Sequence, residues 1–279
     1  MMMQLFHEVS SDCSKLTTER YSTSFSSAIR LLNKNLRTPI YHIYGFVRFA
    51  DEIVDTFHDF DKAELLREFK KETYDAFNRG ISLNPILNSF QQVVNKYNID
   101  HHLVDAFFKS MESDLNKYNY DTEGYKEYIY GSAEVVGLMC LFVFCDGNKE
   151  MYLKLKPYAM ALGSAFQKVN FLRDIKADSE NLKRVYFPGV DFKNFTSEMK
   201  ASIEKDIEAD FKIAYEGVLL LPEDSRFGVY VAYKYYLSLF KKIKIIQATT
   251  LLNERIRIPN YSKALIIMRA GLRSRLNIL

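Results

Sequence analysis

Apolar residues recur at helical spacing along nearly the whole chain, and this pattern constrains the fold more than any other feature. In the stretch from 61 to 80, Leu65, Phe69 and Ala76 alternate with charged residues, and Gly80 marks the predicted helix end. The 279 residues include only 11 glycines and 6 prolines, too few for a turn-rich all-β protein. We therefore predict an all-α fold, with one helical domain spanning residues 1–279.

The prolines and the C-terminal third refine this expectation. Prolines at 39, 85, 157, 188, 222 and 259 are spaced as expected for breaks between long helices joined by short loops. The stretch from 226 to 256 is rich in Val and Tyr, but its length without turn signals favours a single buried helix over strands.

Charge and cysteine content limit the partners and the compartment. The net charge is only +3, so a global basic field for nucleic acid is absent. Two of the three cysteines, Cys140 and Cys145, lie in the apolar run from Val135 to Cys145 and are typical of a reduced core. That run is shorter than the ~20 residues of a membrane span. The N-terminus also lacks the features of a signal peptide, so we expect a soluble, cytoplasmic protein.

The segment around Arg48 combines an apolar helix with a stripe of polar residues. At about 100° per residue, Tyr44, Arg48, Asp51 and Asp55 fall within an arc of about 60°. The other faces are covered by apolar side chains, namely Ile43, Phe46, Val47, Phe49, Ala50, Ile53 and Val54. A helix that is apolar on nearly all sides is a buried one, and its polar stripe is expected to line an internal cavity.

A second segment repeats the arrangement. Gln167, Asn170, Asp174 and Asp178 are spaced 3, 4 and 4 residues apart and fall within an arc of about 80°. Val169, Phe171 and Leu172 fill other faces. An acidic pair four residues apart again completes the stripe.

Buried acidic pairs need compensating charge. The simplest interpretation of such pairs is a solvated surface, but these pairs lie in apolar helices, where desolvation costs several kcal/mol each. Arg48 and Arg173 supply only two cations. Mg²⁺ suits oxygen-rich sites and usually shares its ligands with substrate phosphates, which predicts a Mg²⁺–diphosphate site between the stripes. A di-iron centre would need Glu-x-x-His on facing helices, and neither stripe contains His.

Four stretches, in order, resemble the phytoene and squalene synthase family of head-to-head prenyl synthases. "YGFVRFADEIVD" and "LGSAFQKVNFLRDIKADSENLKRVYFP" resemble its two signature regions, and "YSTSFSSAIRLL" and "YIYGSAEVVGLM" agree as well. Together they extend from about Tyr21 to Pro188. The residues that carry the resemblance are Arg48, Asp51, Glu52, Asp55, Gln167, Asn170, Arg173, Asp174, Asp178, Arg184, Tyr186 and Pro188. The resemblance implies the all-α isoprenoid synthase fold around a central cavity.

The resemblance also implies roles for individual residues. Arg48 and Arg173 are expected to hold diphosphate, and Ser22 matches a family serine that contacts it, although alone it would be an ordinary helix cap. Phe25, Tyr44 and Tyr128 are expected to wall the carbocation. Gln167 belongs to the substrate site. Mg²⁺, with Mn²⁺ as the alternative ion, is expected to be bound by Asp51, Asp55, Asn170, Asp174 and Asp178. The four aspartates, together with Arg48 and Arg173, are also expected to be catalytic.

The implied reaction joins two prenyl diphosphates through a cyclopropylcarbinyl diphosphate. The residues within the motifs favour the coupling of two geranylgeranyl diphosphates to phytoene, without NADPH. Coupling of two farnesyl diphosphates to dehydrosqualene or squalene is the alternative, and a non-catalytic helical scaffold is a remote one.

The C-terminal third matches the family less well. Many relatives have a tyrosine facing the cavity where Thr250 falls here, which leaves the residues that end the reaction open. A basic tail follows, namely Arg255, Arg257, Lys263, Arg269, Arg273 and Arg275. It is consistent either with docking to the inner face of a membrane or with a solvated helix face. The oligomeric state is undetermined.

Overall fold

The computed structural model describes residues 2–116, 119–180, 184–190 and 195–275, excluding the side chains of 177–180 and 274–275. Within these ranges the chain is helical and contains no strand, only an isolated parallel bridge between Asn119 and Val185. The predicted all-α class is therefore confirmed. The helices are α1 (Met2–Tyr21), α2 (Thr23–Ile29), α3 (Lys34–Asp55), α4 (Lys62–Arg79), α5 (Pro85–Tyr97), α6 (His101–Asn116), α7 (Thr122–Ile129), a π-helical turn (Tyr130–Glu134), α8 (Val135–Cys145), α9 (Lys149–Glu180), α10 (Ser197–Leu220), α11 (Glu223–Ile245), α12 (Ala248–Leu251) and α13 (Asn260–Arg275).

Helix α4 begins and ends where its sequence signals lie. The Asp61 side chain accepts a hydrogen bond from the Glu64 backbone N–H, which satisfies one of the free donors of the first turn. Gly80 closes the helix with a φ of +68°, a left-handed conformation that glycine adopts without strain. The predicted end at Gly80 is confirmed.

Two prolines lie inside helices, contrary to the expectation that all six separate them. Pro39 lies near the start of α3 and Pro157 lies within α9. Both lie beyond the first four residues of their helices, so each removes a backbone hydrogen bond that the helix would otherwise form. Packing of α3 and α9 against neighbouring helices outweighs this loss.

The single helix predicted over 226–256 is wrong. Helix α11 ends at Ile245 because Ile246 has an extended backbone, and only the short α12 follows. The chain then runs without helix from 252 to 259, where Lys176 and Lys242 donate hydrogen bonds to the carbonyls of Asn253 and Arg257. This loop brings a side chain to the site described below.

The buried side chains of the described residues form two hydrophobic clusters. The first is built mainly from α3–α6 and α8, where Phe46 stacks on Phe90 with ring centroids 3.9 Å apart. The second is built mainly from α9–α13 and the segment around Tyr186, which stacks on Phe171 at 4.0 Å. Val229 on α11 packs against both clusters.

The apolar run from Val135 to Cys145 belongs to a longer helical segment than its sequence indicated. Together, α7, the π-helical turn and α8 form a continuous stretch, Thr122–Cys145, of 24 residues. By length and composition alone this stretch is sufficient to cross a membrane, which corrects the expectation from the shorter run. In the structure it packs against α3, α6 and α9, and 56% of its most apolar window is buried inside the protein.

Candidate active site

A cavity of about 520 Å³ lies between the polar stripes of α3 and α9. This arrangement confirms that the two stripes share one cavity. The predicted site residues that line it are Ser22, Phe25, Tyr44, Arg48, Asp51, Asp55, Tyr128, Gln167, Asn170, Arg173 and Asp174. The side chain of Asp178, the remaining predicted residue, lies outside those that the structure describes.

On the α3 side, Arg48 is held by the acids of its own helix. Its guanidinium forms an ion pair with Glu52 and lies 3.9 Å from an Asp51 carboxylate oxygen. It also lies over the ring of Tyr21, 4.4 Å from the centroid. Phe49 is predicted to cover a buried face of this helix, but it is 39% exposed, so that face is open to solvent.

Asp51 is the most strongly perturbed acid of the site. Burial raises its pKa to about 8, and repulsion from Asp55 adds to the rise, while the positive charge of Arg48 opposes it. An acid with this pKa gains greatly from any additional cation that enters the cavity. A metal-bound or cation-bound state is therefore favoured electrostatically.

On the α9 side, the Asp174 carboxylate contacts the guanidinium groups of two arginines. The Arg173 Nε donates to both of its oxygens at 3.0 and 3.1 Å. Arg255, from the loop before α13, places its Nε 2.7 Å from Asp174 Oδ1. Asp174 is thereby held at the cavity wall from two separate elements.

The side-chain amides of Gln167 and Asn170 on the α9 stripe make only some of the hydrogen bonds available to them. Gln167 donates to the hydroxyl of Ser132 in the π-helical turn at 3.2 Å, and Asn170 donates to Gln167 at 3.4 Å. The buried Oδ1 of Asn170 has no hydrogen-bond partner among the described residues. Because a buried acceptor without a partner costs free energy, this oxygen indicates a position for a donor or a cation.

Arg184 and Asp114 form a buried pair beside Asp55. Arg184 is 4% exposed; its Nη1 lies 2.8 Å from Asp55 and 3.4 Å from Asp114, and its Nη2 donates to the Asp114 carbonyl at 2.9 Å. The Tyr128 hydroxyl donates to Asp114 at 2.8 Å. Burial raises the pKa of Asp114 to about 7 and raises that of the Tyr128 phenol well above its usual value.

Sequence reasoning missed Asp114, although a signal for it exists. Leu103, Phe107, Ser110 and Asp114 follow the helical spacing 4, 3 and 4, and all four are buried. A charged residue on the apolar face of a helix is rarely buried without a partner, so the pattern alone could have identified it.

Two further arginines change the charge balance predicted for the site. The sequence argument counted Arg48 and Arg173, but Arg184 and Arg255 also line the cavity. Four arginines therefore face four described aspartates there, namely Asp51, Asp55, Asp114 and Asp174. The acids alone consequently no longer require a metal.

Aromatic rings wall the remainder of the cavity. Phe25 stacks on Tyr44 at 5.0 Å, and burial raises the pKa of Tyr44 to about 12, which keeps the phenol neutral. Phe166 stacks on Tyr236 at 3.8 Å. Thr250, expected at the position of a cavity tyrosine, lies on α12 and is not among the lining residues, because α11 ends before it.

Ser22 performs the helix-cap role that was the simpler interpretation, and it also lines the cavity. Its hydroxyl accepts a hydrogen bond from the Phe25 backbone N–H at 3.2 Å and so caps α2. The cap fixes the start of α2, which carries Phe25 into the cavity wall.

The donor set fits a metal that shares its ligands with a substrate. Among the described residues, no group of three His, Cys, Asp or Glu side chains converges closely enough to hold a metal alone. Mg²⁺ commonly takes one or two carboxylates and completes its shell with phosphate oxygens and water. The raised pKa of Asp51 and the unpartnered oxygen of Asn170 both fit such an ion.

Comparison with known proteins agrees with this architecture. A crystal structure of a dehydrosqualene synthase in complex with a ligand superposes with a TM-score of 0.81 at 21% identity, covering 98% of both chains. A squalene synthase from Alicyclobacillus acidocaldarius gives 0.74 at 21% identity, covering 86% of this chain and 94% of that one. These likenesses identify the isoprenoid synthase fold.

Sequence relatives include two carotenoid-pathway enzymes. The 4,4'-diapophytoene synthase of Staphylococcus haemolyticus is 26% identical over 193 residues, 68% of this chain and 66% of that protein. The phytoene synthase of Arthrospira platensis is 24% identical over 290 aligned positions, 94% of this chain and 92% of that protein. The squalene/phytoene synthase family model matches residues 18–262, well into the C-terminal third. The chain belongs to the squalene/phytoene synthase family, whose members are head-to-head prenyltransferases.

Proposed function

We propose that this chain couples two molecules of geranylgeranyl diphosphate to phytoene, without a reductant. The observation that supports this most is the cavity in which aspartates and arginines from α3 and α9 face each other above an aromatic and apolar interior. The relative named a phytoene synthase also aligns over 94% of the chain.

The arginines of the cavity are proposed to bind diphosphate. Guanidinium groups donate paired hydrogen bonds that match phosphate oxygens. Arg48 and Arg173 point into the cavity from opposite helices, and Arg255 approaches from the mouth loop. When diphosphate takes these arginines, Asp51 and Asp174 lose part of their compensating charge.

Mg²⁺ is proposed to restore that balance, with Mn²⁺ as the alternative. When bound, the ion supplies positive charge that stabilises the departing diphosphate. Asp51, Asp55, Asn170 and Asp174 offer oxygen ligands to it, and Asp178 continues the same stripe.

The apolar part of the cavity is proposed to protect the carbocation. Breaking the C–O bond of one substrate releases diphosphate and leaves an allylic cation, which the double bond of the second substrate attacks. Loss of one proton closes the cyclopropane ring of the intermediate. The stacked pair of Phe25 and Tyr44 offers electron-rich faces, and the neutral phenols of Tyr44 and Tyr128 do not capture the cation as phenolates would.

The second half of the reaction decides the product. The cyclopropylcarbinyl diphosphate loses its diphosphate and rearranges to a new cation. That cation either accepts a hydride, which requires NADPH, or loses a proton. We propose proton loss, which gives phytoene from C20 substrates.

A second candidate is the coupling of two farnesyl diphosphates to dehydrosqualene. Two observations favour it: the diapophytoene synthase relative, and the fold match of 0.81 to a dehydrosqualene synthase over nearly the whole chain. Both reactions use the same diphosphate site, and they differ in the length of the apolar chain that the cavity holds.

The deciding experiment offers farnesyl and geranylgeranyl diphosphate separately to the purified protein with MgCl₂, each with and without NADPH. Hydrocarbons are extracted and identified by mass spectrometry. Phytoene formed without NADPH supports the proposal, and a C30 hydrocarbon formed without NADPH assigns the second candidate. Squalene formed only with NADPH overturns the proton-loss ending. No product from either substrate would indicate a non-catalytic scaffold.

A further inference from the structure

Helix α13 carries an apolar stripe on the side that faces away from the protein. Its inner face packs on the second cluster through the buried Ala270 and the half-buried Ile266 and Ile267. The outer stripe consists of Tyr261, Leu265, Met268 and Leu272, which are 37–76% exposed. Their spacing of 4, 3 and 4 residues places them within an arc of about 60°.

The charge around this stripe has one sign. From Arg255 to Leu279 the sequence contains six Lys and Arg residues and no Asp or Glu. Arg269 is exposed and lies about 40° from the edge of the stripe on the helix surface. An apolar stripe beside basic side chains is typical of a helix that lies in the headgroup region of an anionic bilayer. A nucleic acid would pair with the basic residues and leave the apolar stripe uncovered.

The start of α13 lies close to residues that line the cavity. Arg255 lines the cavity and stands in the loop that leads directly into α13. Near the start of α13, the Lys263 ammonium donates to the Thr23 hydroxyl at 2.9 Å. Thr23 directly follows Ser22, which also lines the cavity. A membrane that contacts α13 would therefore lie near residues of the cavity wall, of which Arg255 is 52% exposed.

We propose that the outer face of α13 docks the protein on an anionic lipid surface. The apolar stripe enters the headgroup region while Arg269 contacts lipid phosphates. The docking rests on the exposed stripe and its charge; only the use of the membrane to receive an apolar product rests on the proposed function. Docking would place the cavity mouth beside a phase in which such a product dissolves.

The test measures co-sedimentation of the full chain, without substrate, with phosphatidylcholine vesicles and with equimolar phosphatidylglycerol–phosphatidylcholine vesicles. We expect sedimentation with the anionic vesicles and a decline as NaCl rises. The double variant Leu265→Ser/Met268→Ser should weaken binding at least tenfold. Arg269→Glu should weaken it about 25-fold, since it changes two charges at roughly fivefold each.

Helix α1 offers a matched control, because it also exposes apolar residues but has acidic neighbours. Leu5 and Val9 are 62% and 52% exposed, and Glu8 lies between them. Leu5→Ser/Val9→Ser should bind vesicles as the unmodified chain does. Equal loss in this control and in the α13 variant would overturn the assignment to α13, as would an absence of binding to anionic vesicles.

A second copy of the chain is the rival occupant of the stripe. Light scattering after gel filtration of the same variants distinguishes it: a dimer that Leu265→Ser/Met268→Ser converts to monomer would overturn the proposal. These measurements need no turnover. A negative result would therefore contradict the docking proposal without bearing on the proposed reaction. Melting curves of each variant confirm that the fold is intact.

Discussion

The guanidinium of Arg184 lies 2.8 Å from the carboxylate of Asp55 and links the segment after α9 to the last residue of α3. The same guanidinium also contacts Asp114 on α6. Three separate parts of the chain are therefore tied together at the edge of the cavity. This link fixes the Asp55 carboxylate relative to the α9 stripe.

Asp114→Asn should impair the reaction through this link. Once position 114 loses its charge, Asp55 is the one anionic partner left to Arg184 among the described residues, so the position of Asp55 relaxes. We expect kcat/KM to fall at least about tenfold, which steady-state kinetics measures. Denaturant titration checks that the free energy of unfolding is retained. Glu112→Gln is the control, since Glu112 pairs with Lys70 on the surface, and it should change neither value.

Asp51→Asn and Asp174→Asn should each abolish turnover while the fold remains. Each removes an anionic oxygen from the proposed metal–diphosphate site, and we expect at least a hundredfold loss in kcat with Mg²⁺ present. The assay follows release of inorganic diphosphate, and circular dichroism checks the fold. A variant that retains near-normal activity would exclude that aspartate as a principal ligand.

The pH dependence of stability should reveal the raised pKa of Asp51. Its pKa of about 8 in the folded protein lies far above the value of about 3.9 in an unfolded chain. Between these values the native state binds more protons than the unfolded state, so Asp51 lowers the free energy of unfolding as pH rises from about 4 to about 8. The negative charges of Asp55 and Asp114 also raise the pKa of Asp51, whereas the positive charges of Arg48 and Arg184 lower it.

Melting curves in EDTA at pH 5.5 and 8.5 measure this contribution. Asp51→Asn should melt at least about 2 °C above the unmodified protein at pH 8.5, because a relief of about 1 kcal/mol shifts Tm by this amount. The difference should be smaller at pH 5.5, where Asp51 is already protonated. A larger gain at pH 5.5 than at pH 8.5 would contradict the raised pKa.

Arg255→Gln should weaken substrate binding more than it slows the chemical step. Arg255 reaches Asp174 from the loop before α13 and is 52% exposed, and we propose that it binds the diphosphate of an entering substrate. We expect KM to rise about tenfold with a smaller change in kcat. Arg257→Gln, two residues away and outside the cavity lining, should leave both constants unchanged in an assay without lipid. A fall in kcat alone would contradict the assignment.

Gly217 shows how closely the helices around the cavity pack. A Cβ added there would lie 2.1 Å from the Tyr158 Cβ on α9, so Gly217→Ala forces α9 and α10 apart. We expect a loss of about 1–3 kcal/mol in the free energy of unfolding. Gly271→Ala is the control: no atom lies within 4 Å of its added Cβ, and alanine should stabilise α13 by up to about 1 kcal/mol. Thermal melts of both variants measure the difference.

The sequence by itself determined the features that depend on neighbours within a few turns of one helix. The all-α class, the end of α4 at Gly80, and the two polar stripes all follow from a period of 3.6 residues and from local capping. The same periodicity placed Asp51 and Asp174 toward one cavity, because each lies on the polar side of an otherwise apolar helix. The interior prolines and the end of α11 at Ile245 were not predictable, since packing outweighs local signals there.

Tertiary structure alone decided which charges meet. Arg184 is separated from Asp55 by 129 positions in sequence, and Arg255 is separated from Asp174 by 81. No helical period relates such residues, and the charge count over the two polar stripes included only two of the four arginines in the cavity. Their positions depend on how α6, α9 and the loop before α13 pack around α3. The electrostatic field that a diphosphate meets in the cavity is consequently a property of the assembled helices, because it sums charges that the sequence keeps far apart.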